Sequence, residues 1–251
     1  MGIHSMMDSI ELPQNIVCVP GPWVDRNDLI RAVAKQSGGY LYAGVAMMHR
    51  ETRESVTVQF EDRNPHMARA FSCAGSSWVD DEALAAIEAH RSCVYLIGEG
   101  GTEETAKNRM KEAAALLKCG GIAVKVETAG VAHSAQQWQA FSADPHLLHL
   151  FRAYVIYVGS ADEGYNSCGM HNIGHPDCVL KADVDPAEAA AVIDGFLKYL
   201  LFEKPNLQRG ETFGLAAGAP VYQIRHEPCE TYPPGDLFHN PFGVWKLVPA
   251  E

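Results

Sequence analysis

The chain has 251 residues, enough for one large domain or two small ones, each able to bury a core. Apolar residues make up 47% and charged residues 20%, which excludes disorder, collagen-like repeats and coiled coil. Twenty Lys and Arg against 31 Asp and Glu leave a formal charge of −11. That balance repels phosphate backbones and anionic lipid and argues against nucleic-acid and membrane-surface partners, so no nucleic acid and no membrane are expected.

In chain order, Ile16–Val19 reads as a short apolar strand stopped by Pro20-Gly21-Pro22. Asp25 stands at a helix N-cap ahead of the stripe Leu29, Ile30, Val33, Ala34, which ends at Gly38-Gly39. Tyr40–Met48 and Ser55–Glu61 read as two strands around a charged turn, the second alternating Val56, Val58, Phe60. Asp80-Asp81 opens a helix to His90, followed by the strand Cys93–Ile97. A long helix, Thr102 to Lys118, ends at Gly120-Gly121, and a strand Ile122–Val126 follows. Ser134 caps a short helix through Phe141.

The step Asp144-Pro145 is the expected seam between an N-terminal lobe, 1–144, and a C-terminal lobe, 145–251, packed on it. Beyond it come a strand Tyr154–Val158, a loop rich in Gly, His and Cys, and a strand Val179–Ala182. A helix then runs from Asp185-Pro186 to Phe202 with Pro at its first position, and strands follow at Val221–Arg225 and Val244–Val248. Strands and helices that do not alternate strictly predict an α+β fold of mixed, mainly antiparallel sheets. The first elements follow the β-α-β-β-α-β order of a ferredoxin-like unit. The N-terminal stretch MGIHSMMDSIELPQN has acids and no apolar secretory core. Seven scattered cysteines read as reduced thiols, so the expectation is a cytoplasmic protein.

Three places hold candidate chemistry. Cys168, His171, His175 and Cys178 are spaced C-x2-H-x3-H-x2-C, a donor set that would satisfy a tetrahedral zinc, with Asp177 beside it. The competing reading is a tight glycine-containing turn with no cofactor, and that reading leads. His133 and Ser134 lie between a strand and a helix, where a histidine serves as a general base or, equally, as a loop residue before a cap. Gly98–Thr102 sits at a helix N-terminus, but Glu99, Glu103 and Glu104 argue against an anion there. Tyr222, Tyr232, Phe238, Phe242 and Trp245 crowd the last thirty residues, either as a core cap or as a surface for a protein partner.

Three blocks carry a resemblance: TAKNRMKEAAALLKCGGIAVKVETAGVAHSAQQW from Thr105, GMHNIGHPD from Gly169, and GETFGLAAGAPVYQIRHEP from Gly210. Together they resemble the bacterial domain of unknown function 4261 family. His133, Ser134, Gly169, Met170, Gly174, Pro176, Asp177, Gly210, Thr212 and Gly214 stand at its motif positions. The resemblance implies a bacterial cytoplasmic α+β protein and supplies no activity; Cys168, His175 and Cys178 lie outside its pattern. The expected function is a non-catalytic protein-binding module of the immunity or stress type. The alternative is a hydrolase built on His133, Ser134 and Asp177 with the 168–178 loop, with or without zinc. Oligomeric state is not legible.

Overall fold

A computed structural model describes residues 12–75, 77–160, 164–181, 183–208 and 210–250. The N-terminal reading above, Met1 to Glu11, lies outside the described residues. The helix starts follow from local chemistry. Asp25, Asp80, Ser134 and Asp185 each accept a backbone N–H from the first turn, and Thr102 does so within a reciprocal capping box.

The first sheet is built from β1 (Gln14–Gly21), β2 (Tyr40–Tyr42), β3 (Ala46–His49), β4 (Ser55–Asp62), β5 (Ser92–Glu99), β6 (Ala123–Val126) and β7 (Val131–Ser134). Its order is β2-β3-β4-β5-β1-β6-β7, antiparallel throughout. With it go α1 (Arg26–Gln36), α2 (Met67–Ala74), α3 (Asp81–Glu88), α4 (Glu103–Lys118) and α5 (Ala135–Ala143). Because strand side chains alternate between faces, Val17, Val19, Val94, Leu96 and Val124 meet Met110, Ala113 and Leu117 of α4 on one side. Cys18 and Cys93 meet Met67, Phe71 and Ile87 of α2 and α3 on the other.

Within the sheet, β1-α1-β4-β5-α4-β6 in the spatial order β4-β5-β1-β6, with α1 and α4 on one face, form a ferredoxin-like unit, but on other strands than the sequence order suggests. The expected single strand Tyr40–Met48 is two strands, reversed at Ala43–Val45 with Gly44 at φ +84°. That added reversal turns β4 to run with β1. The antiparallel β5 then fits between them, pairing Ile97 with both Ile16 and Thr57, so that β4 and β5, and not the two strands expected at 40–48 and 55–61, are the middle pair of the unit.

The second sheet comprises β8 (Ile156–Ser160), β9 (Gly164–Cys168), β10 (Asp177–Leu180), β11 (Thr212–Phe213), β12 (Tyr222–Glu227) and β13 (Val244–Pro249), in the order β11-β12-β13-β10-β9-β8. Only β10 and β13 run parallel. The fold is therefore α+β with mainly antiparallel sheets. The helix α7 (Pro186–Glu203) covers one face, burying Val192, Ile193 and Phe196 against Leu180, Ile224 and Leu247. Several elements differ from expectation, with α2, β7 and β11 added to those the sequence suggests. Leu147–Tyr154 is a helix, α6, so the strand after it starts at Ile156; and the expected loop contains β9 and a 3-10 turn, Met170–Ile173. Helix α6 packs on α4, α5 and that turn, and one apolar cluster runs through residues of both sheets. No helix among the described residues is long and apolar enough to cross a membrane.

Candidate functional site

Asp177 is the centre of the densest buried polar network. It opens β10 at 4% exposure. One carboxylate oxygen accepts from the Ser167 hydroxyl at 2.7 Å and the Met170 N–H at 3.3 Å; the other accepts from Asn240 Nδ2 at 2.6 Å. Ser167 Oγ in turn accepts the Cys178 N–H, and Asn240 Nδ2 also donates to the His175 carbonyl at 2.9 Å. Above it, Thr128 donates to Asn172 Oδ1 at 2.7 Å, and Asn172 reaches the Gly169 carbonyl. His171 is fully buried, its Nδ1 3.9 Å from Asp177 and without a hydrogen-bond partner. The network joins three segments: the β6–β7 turn, the 168–178 loop and the loop before β13.

This arrangement does not bring the four candidate zinc donors Cys168, His171, His175 and Cys178 together. The β9–β10 register pairs Val179 with Asn166 and Leu180 with Tyr165, and continuing it sets Cys178 opposite Ser167. Cys168, one residue further on, therefore points to the other face of the sheet. Cys178 packs into the core with α7, whereas Cys168 lies near Asp177, Cys229 and Asp236. Burial pushes both thiols well above the ordinary cysteine range. His175 is half-buried, its pKa lowered by burial, and its backbone N–H is bound to the Met170 carbonyl. The tight turn is what the glycines serve: Gly169 and Gly174 both have positive φ.

His133 and Ser134 are likewise engaged structurally. The His133 ring lies between Trp138 and Phe141 and is only 7% exposed. Its Nε2–H donates to the Ala153 carbonyl at 2.9 Å, and burial lowers its pKa from 6.5 to about 4. Ser134 Oγ accepts the Gln137 N–H while Gln137 Oε1 accepts the Ser134 N–H. Among the described residues no hydrogen bond joins His133 to Ser134 or to Asp177.

His133 should shape the acid limb of stability. The unfolded chain takes up a proton near pH 6.5 that the folded imidazole refuses until about pH 4. Stability is therefore lost as pH falls through that window, by roughly 3 kcal/mol in all. His133→Gln keeps a donor for Ala153 but does not titrate. Its urea midpoint should fall less steeply between pH 6.5 and 4; parallel profiles would exclude this assignment.

The C-terminal aromatics face mostly inward. Tyr222 is buried, Trp245 packs on the core with Phe196, Phe238 covers Gly130 against Tyr232, and Phe242 covers Gly101. What remains open beside them is a cleft of about 520 Å³. Leu12, Pro13 and Gln14 at the head of β1 form one wall, Thr128 lies in it, and Pro234 to Pro241 form the other. Leu12 and Leu237 stand exposed at 48% and 44%. Asp236 is the carboxylate in the lining, and His239 Nδ1 is bound to the Tyr232 carbonyl. Sequence reasoning singled out the aromatics of this loop but not the cleft, because its walls come from segments more than a hundred residues apart.

The single set of three or more metal-type donors that converges among the described residues is Asp144, His146 and His149. It escaped the sequence reading, although D-P-H-x-x-H carries the spacing.

Residues 166–241 match the family model described as Domain of unknown function (DUF4261), the family that the sequence blocks resembled. The matched span begins in β9 and ends one residue beyond Asn240, so it holds every partner of Asp177 named above; the block around His133 lies outside it. No curated protein and no solved structure matches the chain.

Proposed function

We propose that the protein is a non-catalytic binding module of the bacterial cytoplasm that takes an apolar segment of a protein partner into the cleft between Leu12–Gln14 and Pro234–Pro241. The cleft takes its walls from both sides of the expected seam at Asp144-Pro145, and joins between units are common places for binding sites. The observation that carries the reading is its rim, where Leu12 and Leu237 stand half exposed on walls stiffened by Pro13, Pro234 and Pro241. Proline fixes φ, so little backbone freedom is lost when a partner docks. Asp236 and a net charge of −11 favour a partner with basic residues flanking its apolar ones. Binding is preferred to hydrolysis because His133, Ser134 and Asp177 each spend their polar atoms on the fold.

The test is a displayed random-peptide library panned on the full chain and on Leu237→Asp, a change at an exposed position. Apolar peptides with Lys or Arg flanks should be enriched on the wild type. Their affinity should drop at least about tenfold on the variant, as for an anchor residue at the edge of an apolar contact. No enrichment, or equal binding by both proteins, would remove the reading.

A further inference from the structure

The Asp144-Pro145-His146-Leu147-Leu148-His149 segment joins α5 to α6 and contributes no residue to the lining of the cleft. Pro145 confines Asp144 to an extended backbone, φ −140° and ψ 78°, and His146 follows as the N-cap of α6. His146 and His149 thus occupy the N-cap and third helical positions, whose side chains naturally approach one another. Their rings stack with centroids 4.0 Å apart, and His146 Nε2 stands 3.7 Å from Asp144 Oδ2. The three donor atoms lie within 4.8 Å of one another.

The orientation of His149 is set by its neighbour. Its Nδ1 lies 2.7 Å from the Asp144 carbonyl oxygen, which can only accept, so Nδ1 carries the proton and Nε2 keeps its lone pair. A backbone carbonyl holding the remote nitrogen is the usual support of a metal-ligating histidine. Phe141 packs on the same ring and limits its swing.

We propose that Asp144, His146 and His149 bind one divalent transition-metal cation of the Zn²⁺ class. Two imidazoles and a carboxylate are a borderline donor set suited to that class, with water in the open position. Bonds of about 2.0–2.1 Å in a tetrahedron set donors roughly 3.3–3.4 Å apart. The 3.7 Å between His146 and Asp144 is already close to that, and the exposed Asp144 and His146 are free to close the remainder. The positive end of α6 opposes a cation here, and the Asp144 carboxylate offsets it. Bound metal would tie α5 to α6 at the expected seam.

Zn²⁺ titrated into the full chain by calorimetry in chelator-free buffer should bind at one ion per chain. His149→Ala and Asp144→Asn should each weaken it by at least about tenfold. Co²⁺ in the same site should show visible d–d bands without the near-ultraviolet thiolate charge-transfer band. Equal Zn²⁺ affinity in wild type and variants, or a thiolate band, would overturn the proposal, the latter moving the metal to the cysteines. Asp144 is exposed, so its variant decides the matter even if His149→Ala disturbs packing on Phe141. None of these residues lines the cleft, so peptide binding and metal binding stand or fall separately.

Discussion

Gly169→Ala is expected to be among the most damaging single-methyl changes in this protein, lowering stability by roughly 3–5 kcal/mol. Two effects add. Gly169 has φ +111°, a conformation L side chains rarely adopt. A Cβ there would also stand 1.9 Å from the Tyr154 carbonyl oxygen and 2.9 Å from the Ala129 methyl, a backbone and a core neighbour with little room to move. The close approach lets the 168–178 turn dock on the end of α6, so the loss would loosen that contact. Gly235→Ala is the control: its φ is +89°, with nothing within 4 Å of the added methyl. It should cost only about 1–2 kcal/mol. Urea midpoints of the two variants check this, and equal losses would mean that the Tyr154 contact contributes nothing.

Asp177→Ala should cost a comparable roughly 3–5 kcal/mol. It leaves the buried Ser167 hydroxyl, the Met170 N–H and one of the two Asn240 amide N–H groups without their acceptor. Asp177→Asn preserves shape but turns one acceptor into a donor facing either Asn240 or the Ser167–Met170 pair, so about 2 kcal/mol is expected. In a double-mutant cycle with Asn240→Ala the two losses should be less than additive, because each single change already breaks the shared bond. The Asn240 tether also fixes the back of the cleft wall, so both variants should weaken peptide binding beyond what their folded fraction explains. A loss below about 0.5 kcal/mol for Asp177→Asn would show the carboxylate to be ordinary surface chemistry.

Helix starts were legible because their cause is local. A carboxylate or hydroxyl at Asp25, Asp80, Ser134 or Asp185 needs only the next turn of chain. Strand boundaries were less so. Tyr40–Met48 reads as a continuous apolar run, and only the positive φ of Gly44 splits it and changes the strand order of the sheet. Tyr154 belongs to a β-branched string yet ends α6, where its hydroxyl donates to the Ala106 carbonyl in a pairing that depends on α4. The cysteine–histidine spacing suggested a chelate, but spacing does not show on which side of a pleat a thiol points. Cys168 and Cys178 are separated by that alternation. Asp177 was found, with a role that its distant partner Asn240 defines.

The position of β13 has a consequence for folding during synthesis. It lies between β12 and β10, pairing Val244 with both Glu227 and Asp177, so the second sheet cannot close until residues 244–249 have been made. At about 5–20 residues per second, the 67 residues from Asp177 to Val244 take roughly 3–13 s to add. Through that interval the flank of β10 that will receive β13, joined by that of β12 once Glu227 has been added, has unpaired N–H and C=O groups, which makes it a template for stray strands. The first sheet needs only residues up to about 134 and is free to form during the wait, giving a nascent chain with one finished half and one adhesive half. Holdase chaperones recognise intermediates of this kind, and the slow step in refolding should be the insertion of this final strand.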